Sequence, residues 1–470
     1  MPAPLTDYST FGRHSFGPDF IWGTATAAYQ IEGAVDRDGR SPSVWDTFSH
    51  QKGKIKTGET ADSACEFYDR YESDLLLHKE LGFDSFRFSL SWSRILPDGV
   101  GPSQGGRLNE AGLAFYDRLI DHCLALGITP WITLYHWDLP QALETKGGWP
   151  NRSIVNWFSE FADVCTKAFG HKVKHWIILN EPLAFSVLGY FTGQHAPGRR
   201  SFRNLLPVIH HTALAQAEGG RVVRRNVSGA HVGTTFSCSP IDPFTSSTRD
   251  QAAAVRVDAL LNRLFIEPSL GLGYPKELSF LAGITKKVAK PGDMEQLAFN
   301  FDFIGLQHYF RAVVEGSYFI PYLWASQVSP LQRNVQTITE MGWEVYPESM
   351  YRVIQQFSQY EGIKKIYITE SGAAFFDTVQ QGAVNDVARL DYHRNYLQQV
   401  LRAKRDGFAV DGYFAWTFLD NFEWAEGYRP RFGLVHVDFR TQQRIIKASG
   451  RWFQQLLSNE HQLANLTSTV

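Results

Sequence analysis

The chain has 470 residues, which is long for one average domain but within the usual size of a single α/β barrel. Hydrophobic residues make up 44% and charged residues 20% of it, as in ordinary globular proteins. The formal net charge of −2 provides no excess of positive charge for nucleic acid or an anionic membrane surface, so neither is expected as a partner.

Short apolar, β-prone runs alternate with longer segments of helical periodicity, for example 69–81 and 109–126, which predicts parallel strands joined by helices. The predicted strands are 20–28, 85–92, 129–136, 175–181, 231–237, 301–309, 366–371 and 410–418. This pattern favours an α/β fold, a (β/α)8 TIM barrel in a single domain over residues 1–470 with its core at about 16–453. Periodicity alone does not exclude a doubly wound sheet, which gives a similar sequence pattern.

Polar and aromatic residues of unusual type cluster within or near the C-terminal ends of these strands. They are Gln30, Arg87, His136, Asn180, Glu181, Tyr309, Glu370 and Trp416. Barrel enzymes assemble their chemistry at this end of the barrel, so the clustering favours the barrel over the open sheet.

The cysteines and the N-terminal residues indicate the cellular compartment in which the protein is expected. The four cysteines are scattered, with no CxxC spacing, so neither a zinc site nor a disulfide framework is expected. Residues 1–16 contain no apolar core of a signal peptide, and no run reaches the ~18 apolar residues of a membrane span. A cytoplasmic protein is therefore expected.

Two strands each deliver a carboxylate at their C-terminal end. The fourth ends in Asn180-Glu181-Pro182, and the seventh carries Glu370 followed by Ser371. A lone glutamate at such a place often only caps a helix or pairs with an arginine. Two of them on strands four and seven can face each other across a barrel mouth, which is the arrangement that glycoside hydrolysis requires.

Further motifs surround this pair in a fixed order. They lie at 20–33, 86–89, 135–140, 180–182, 369–372 and 416–432. With them the sequence, from about residue 16 to about 453, resembles glycoside hydrolase family 1, the β-glucosidase family of (β/α)8 barrels. The resemblance implies a retaining β-glycosidase that hydrolyses terminal non-reducing β-D-glucosyl residues of β-glucosides and cello-oligosaccharides, a function in cellulose degradation.

The resemblance also implies a role for each site residue. Glu181 is expected as general acid/base and Glu370 as nucleophile, with Arg87 and Tyr309 bound to Glu370. The remaining expected substrate-binding residues are Gln30, His136, Asn180, Trp343, Trp416, Glu423, Trp424 and Phe432. No cofactor and no metal are expected, because a carboxylate pair needs neither.

Two motifs depart from the family pattern. Ser371 stands where the family usually has asparagine, and Gln307-His308 precede Tyr309 where Asn-Tyr is usual. These changes put the family's rates and aglycone preference in doubt.

Several alternatives remain open. A 6-phospho-β-glycosidase would carry serine, lysine and tyrosine where this chain has Glu423, Pro430 and Phe432. A non-catalytic sugar-binding relative would usually lack one catalytic glutamate, and a thioglucosidase typically has glutamine in place of Glu181. A transglycosidase would use the same residues. The preference among glucose, galactose and fucose, the aglycone and the oligomeric state stay open.

Overall fold

The structure, a computed structural model, describes residues 11–320 and 322–458. Eight parallel strands form a closed barrel in sequence order, with the last strand paired to the first. They are β1 (Ile21–Ala25), β2 (Ser85–Ser89), β3 (Thr129–Tyr135), β4 (His175–Asn180), β5 (His231–Ser237), β6 (Phe303–Gln307), β7 (Ile366–Ser371) and β8 (Val410–Trp416).

One helix of ten or more residues follows each strand in the described part of the chain. These helices are α1 (Phe67–Glu80), α2 (Glu110–Ala125), α3 (Ile154–Phe169), α4 (Phe202–Asn226), α5 (Thr248–Asp258), α6 (Glu348–Phe357), α7 (Val387–Arg405) and α8 (Ala448–Leu457). The α2 helix buries Phe115, Tyr116, Leu119 and Ile120 at helical spacing, which explains why its sequence pattern is clear.

The loops hold smaller elements. Short α-helices lie at Ala28–Ile31, Val44–Ser49, Trp92–Ile95, Gln141–Thr145, Pro182–Ala184, Ile266–Ser269, Ala282–Lys287 and Asp293–Gln296. Short 3-10 or π turns lie at Arg13–Phe16, Pro102–Gln104, Phe185–Gly189, Ala259–Arg263, Ser279–Leu281, Leu331–Arg333 and Trp424–Glu426. A three-stranded sheet joins Ile241–Pro243, Ala312–Gly316 and Ala325–Gln327, and two hairpins join Val379–Gln380 to Ala383–Val384 and Val435–Val437 to Arg444–Ile446.

Aromatic rings fill the barrel interior. Trp131 makes edge contacts with Phe303, Tyr367 and Phe414, with ring centroids 5.1 to 5.4 Å apart. A Cβ at Gly23 would stand only 2.3 Å from the ring of Phe414, so this ring needs glycine on the neighbouring strand. These rings pack into a solid core inside the barrel, so a site can form only at the C-terminal ends of the strands.

The barrel register brings the predicted site residues to one level. Ala25 pairs with Arg87 on one side and with Trp416 on the other. On the neighbouring strands β6 and β7, Gln307 pairs with Glu370. Residues distant in sequence therefore surround the same opening.

The predicted barrel is confirmed, and all eight strands lie where the sequence predicts them. Strands 231–237 and 366–371 have the predicted ends. The first strand stops at Ala25, earlier than predicted, because Ala28–Ile31 turns into a short helix. No helix among residues 11–320 and 322–458 is long and apolar enough to cross a membrane. The first ten residues of the N-terminal segment judged for a signal peptide lie outside the described residues.

Candidate active site

A cavity of about 300 Å³ opens at the C-terminal ends of the strands. Ten of the twelve residues predicted for the site line it: His136, Asn180, Glu181, Tyr309, Trp343, Glu370, Trp416, Glu423, Trp424 and Phe432. The other two, Gln30 and Arg87, are fully buried behind the lining and hydrogen-bond to Glu423 and Glu370, respectively.

The Glu370 carboxylate receives three hydrogen bonds. Arg87 donates from Nη1 to Oε1 at 2.6 Å, and Gln307 donates from Nε2 to the same oxygen at 2.6 Å. The Tyr309 hydroxyl donates to Oε2 at 2.7 Å. Donors that converge on both oxygens favour the ionised carboxyl and fix its orientation.

Burial and these donors act on Glu370 in opposite directions. Burial raises the pKa of Glu370 above its ordinary value, while Arg87, Tyr309 and Gln307 lower it. The net pKa shift is upward, since the loss of solvent outweighs the nearby positive charge. Arg87 therefore limits the rise of this pKa instead of bringing it below the ordinary value.

Glu181 occupies a different environment at the end of β4. Its φ of +43° is rare for a residue with a side chain, and Pro182 opens a short helix immediately after it. Burial raises the pKa of Glu181 well above its usual range, and the nearby charge of Glu370 raises it further. Among the described residues Glu181 makes no ion pair, so the protonated form is favoured here far more than at Glu370.

Asn180 determines which ring nitrogen of His136 carries the proton. Its Oδ1 accepts from Arg87 Nη2 at 2.5 Å, Gln307 Nε2 at 2.5 Å and Thr235 Oγ1 at 3.1 Å. Its Nδ2 must therefore be the atom that meets His136 Nε2 at 2.9 Å, which makes Nε2 an acceptor. Burial and Arg87 lower the pKa of His136, so the neutral ring carries its proton on Nδ1, where it has no partner in the described structure.

A third acid, the partly buried Glu423, also lines the cavity. Gln30 donates from Nε2 to Glu423 Oε2 at 3.3 Å and to the carbonyl of Phe422 at 2.9 Å. The Oε1 atom of Gln30 is buried and has no hydrogen-bond partner within residues 11–320 and 322–458. Burial, together with the charge of Glu370, raises the pKa of Glu423 to about 8. These atoms offer hydrogen bonds to a polyhydroxylated ligand.

Aromatic rings form the rest of the wall. The centroid of Trp343 lies 5.3 Å from Tyr309 and 6.2 Å from Phe432, while Trp424 packs on Trp137 at 4.6 Å. Apolar faces beside acids and amides match a sugar ring, which has apolar C–H faces and a polar rim.

One contact was not anticipated from the sequence. Gln307 was noted only as a departure from the family pattern, yet its amide bridges Glu370 and Asn180. Gln307 lies near the C-terminal end of a predicted strand, two residues before Tyr309. This position is the sequence signal that could have identified it as a site residue. The other departures point away from the cavity, with His308 bound to Ser349 Oγ at 2.7 Å and Ser371 3.4 Å from the Tyr392 hydroxyl.

One group of possible metal ligands exists in the described part of the chain, formed by Asp377, Asp420 and His436. Lys447 binds both aspartates through Nζ, and Arg431 donates to Asp420 at 3.2 Å. Protein cations thus already balance these carboxylates, and none of the three residues lines the cavity. The donor set does not fit a catalytic metal.

Comparisons with known proteins agree with this geometry. The family model of glycosyl hydrolase family 1 matches residues 12–462. The chain is 42% identical to a 1,4-beta-D-glucan glucohydrolase of Thermotoga neapolitana over 94% of this chain and 98% of that protein. It is 41% identical to beta-glucosidase A of Thermotoga maritima over 94% and 98% of the two chains. A Thermotoga maritima beta-glucosidase in complex with glucoimidazole superposes with a TM-score of 0.88 at 40% identity, covering 94% of this chain and 98% of that one. With its barrel and its pair of buried glutamates in one cavity, the chain belongs to glycosyl hydrolase family 1.

Proposed function

We propose that the protein is a retaining β-glucosidase in which Glu370 is the nucleophile and Glu181 the general acid/base. The observation that carries this assignment is the contrast between the two carboxyl groups. Glu370 is held by Arg87 and two further donors, while Glu181 has no ion pair with any described residue and its pKa is raised well above its usual range. The names of the two relatives, a glucan glucohydrolase and a beta-glucosidase, support the same class of substrate.

The first step forms the glycosyl-enzyme. A carboxylate oxygen of Glu370 attacks the anomeric carbon, and the bond from that carbon to the aglycone oxygen breaks. Glu181 transfers its proton to the departing oxygen, so the aglycone leaves as a neutral alcohol or phenol. The negative charge of Glu370 is consumed in the new ester bond.

The second step releases the sugar. Burial and the charge of Glu370 both raise the pKa of Glu181, and esterification of Glu370 removes the second of these causes. The pKa of Glu181 therefore falls in the glycosyl-enzyme, which suits Glu181 to act as a base. It takes a proton from water as the water oxygen attacks the anomeric carbon, and the carboxylate of Glu370 departs. Two inversions at one carbon give net retention.

The remaining residues are proposed to hold the glucosyl unit. Glu423, Gln30 and the Nδ1–H of His136 offer hydrogen bonds to hydroxyl groups, and Asn180 is placed to bind the 2-hydroxyl. In this assignment Trp416 is the stacking floor of the glucosyl site, Trp424 binds beside Glu423, and Trp343 and Phe432 form the wall of the aglycone side.

We further propose that cello-oligosaccharides are among the natural substrates, which would place the enzyme at the end of cellulose breakdown. The glucan glucohydrolase name of one relative supports this proposal. A cytoplasmic location is proposed because the four cysteines are buried free thiols, as expected in a reducing compartment.

The alternatives are less well supported. In a 6-phospho-β-glycosidase the phosphate requires cations or hydrogen-bond donors, whereas Glu423 brings no positive charge and Phe432 offers no hydrogen bond. Both catalytic glutamates are present, against a non-catalytic relative, and Glu181 itself speaks against a thioglucosidase.

A panel of 4-nitrophenyl glycosides, with cellobiose alongside, tests the function. We expect the β-glucoside to be turned over, with β-glucose as the first product seen by NMR. Comparison with the β-galactoside and β-fucoside measures the sugar preference, and product analysis at high acceptor concentration measures transglycosylation. Initial release of α-glucose, or turnover confined to the 6-phosphoglucoside, would contradict the proposal.

A further inference from the structure

A second cleft, of about 570 Å³, adjoins the catalytic cavity, and its walls are basic. Lys52, Lys54 and Lys56 lie on the loop after β1, and Arg200 lies on the loop after β4. We call these four residues and the space between them the basic cleft. It shares His195, Ala425 and Glu426 with the catalytic cavity, so the two spaces have a common wall.

Most of the positive charge in the basic cleft is not neutralised. Lys52 and Arg200 are exposed and make no ion pair among the described residues, and Lys54 holds its Nζ 5.1 Å above the ring of Phe48. Lys56 alone is paired, through Nζ to Glu426 at 2.6 Å. Four cations thus face one carboxylate, on a chain whose formal net charge is −2. This local excess of positive charge attracts anions.

The shared wall connects the basic cleft to the sugar-binding aromatic residues. The ring of His195 lies 5.7 Å from Trp137, which lines the catalytic cavity, and 5.3 Å from Trp45. Burial lowers the pKa of His195 to about 4, so at neutral pH this ring adds contact area without charge. A ligand can therefore have its sugar in the cavity and an extended aglycone along this wall.

We propose that the basic cleft is an outer aglycone subsite for β-glucosides whose aglycone ends in an anionic group, such as a carboxylate. This inference rests on the proposed β-glucosidase function and adds a substrate class to it. Lysine ammonium and arginine guanidinium groups form charge-assisted hydrogen bonds with carboxylates. Their exposure makes the interaction sensitive to salt.

The test compares 4-(β-D-glucosyloxy)cinnamic acid with its primary amide. The two probes have the same length and aromatic ring and differ in one charge. The amide group withdraws electrons more strongly, so leaving-group chemistry alone favours the amide. We expect kcat/KM for the acid to exceed that for the amide by roughly fivefold at low ionic strength, and this ratio to approach one in about 0.5 M salt.

The variants Lys52→Gln and Arg200→Gln, separately and combined, assign the effect to the basic cleft. The double variant should bring the acid-to-amide ratio close to one while it hydrolyses 4-nitrophenyl β-D-glucoside as the wild type does. Lys364→Gln is the matched control, since it removes an equally exposed charge just before β7, at the opposite end of the barrel. It should leave the ratio unchanged.

Four outcomes contradict the inference. Equal kcat/KM for acid and amide in the wild type would overturn it, as would a ratio that survives in the double variant. A preference for 4-nitrophenyl β-D-glucoside 6-phosphate that the double variant abolishes would show that the anion is recognised on the sugar instead. If the neutral amide and 4-nitrophenyl β-D-glucoside are not hydrolysed at all, the proposed function fails first, and the inference fails with it.

Discussion

Arg87 on β2 donates a hydrogen bond of 2.6 Å from Nη1 to Oε1 of Glu370 on β7, and both side chains are buried. The second terminal nitrogen of the same guanidinium binds Asn180 Oδ1. One rigid cation therefore positions the proposed nucleophile and the residue next to the proposed acid. This contact couples the charge state of Glu370 to the geometry of the whole site.

Replacement of Arg87 by glutamine should raise the pKa of Glu370 further, because Arg87 lowers it in the wild type. Glu370 attacks only when ionised, so the acid limb of the kcat/KM profile should move to higher pH. We expect a loss of roughly 100-fold to 1000-fold at the optimum. Arg87→Lys, which keeps the charge, should shift the limb less, and thermal unfolding checks that both variants fold. An acid limb that does not move in Arg87→Gln would remove Arg87 from this role.

Gln307 is expected to orient Glu370, although the family usually has asparagine there. Gln307→Leu keeps the volume but removes both hydrogen bonds, so kcat/KM should fall by roughly 10-fold to 100-fold and the acid limb should again move to higher pH. Gln307→Asn, which keeps a shorter amide, should lose less. A leucine variant with wild-type rate and pH profile is the result that contradicts the assignment.

Glu423→Ser should weaken transition-state binding of glucosides by about 2–4 kcal/mol, because it removes the hydrogen bonds that the carboxyl group makes to hydroxyl groups of the sugar. The measurement is kcat/KM for 4-nitrophenyl β-D-glucoside. Activity against the 6-phosphoglucoside should fall less, since serine leaves more room for the phosphate and its hydroxyl can donate a hydrogen bond to it. Glu361→Ser, at an exposed acid outside the site, is the control and should behave as the wild type. An unchanged kcat/KM in Glu423→Ser would place this residue outside the sugar site.

Exhaustive dialysis against a chelator should leave the activity unchanged. The proposed chemistry needs only two carboxyl groups, and the two carboxylates of the possible metal group, Asp377 and Asp420, are already balanced by protein cations such as Lys447. The check is the rate before and after dialysis, with Mg²⁺ or Zn²⁺ added back. Activity that is lost and then restored by one of these ions would disprove the metal-free mechanism.

The barrel was predictable from the sequence because strands buried on both faces produce continuous apolar runs. The strand 366–371, which carries Glu370, was predicted with its observed ends. The strand that ends at Ala25 was predicted too long, since a short helix that begins at Ala28 continues the apolar run. The small sheet around Ala312–Gly316 was missed, because its short strands lack a recognisable period.

The site was predictable as a set of residues but not as a network. Motif order and strand ends were enough to name Glu181 and Glu370. The sequence could not show that Gln307 bonds Glu370, or that Asn180 sets the tautomer of His136, because both depend on side-chain directions fixed by the barrel register. The opposing contributions to the pKa of Glu370 also required the packed structure.

The division of labour between the two acids is the central claim, and removing each side chain should give a different product. Glu370→Ala should abolish hydrolysis, and azide in the vacated space should yield the α-glycosyl azide, because only one displacement occurs. Glu181→Ala should still be glycosylated by substrates with good leaving groups and then stall, since no base activates water.

The most direct measurement is the NMR stereochemistry of the azide products from these two variants with 2,4-dinitrophenyl β-D-glucoside. The account predicts the α-glycosyl azide from Glu370→Ala and the β-glycosyl azide from Glu181→Ala. The same anomer from both variants, or the two anomers exchanged, would contradict it.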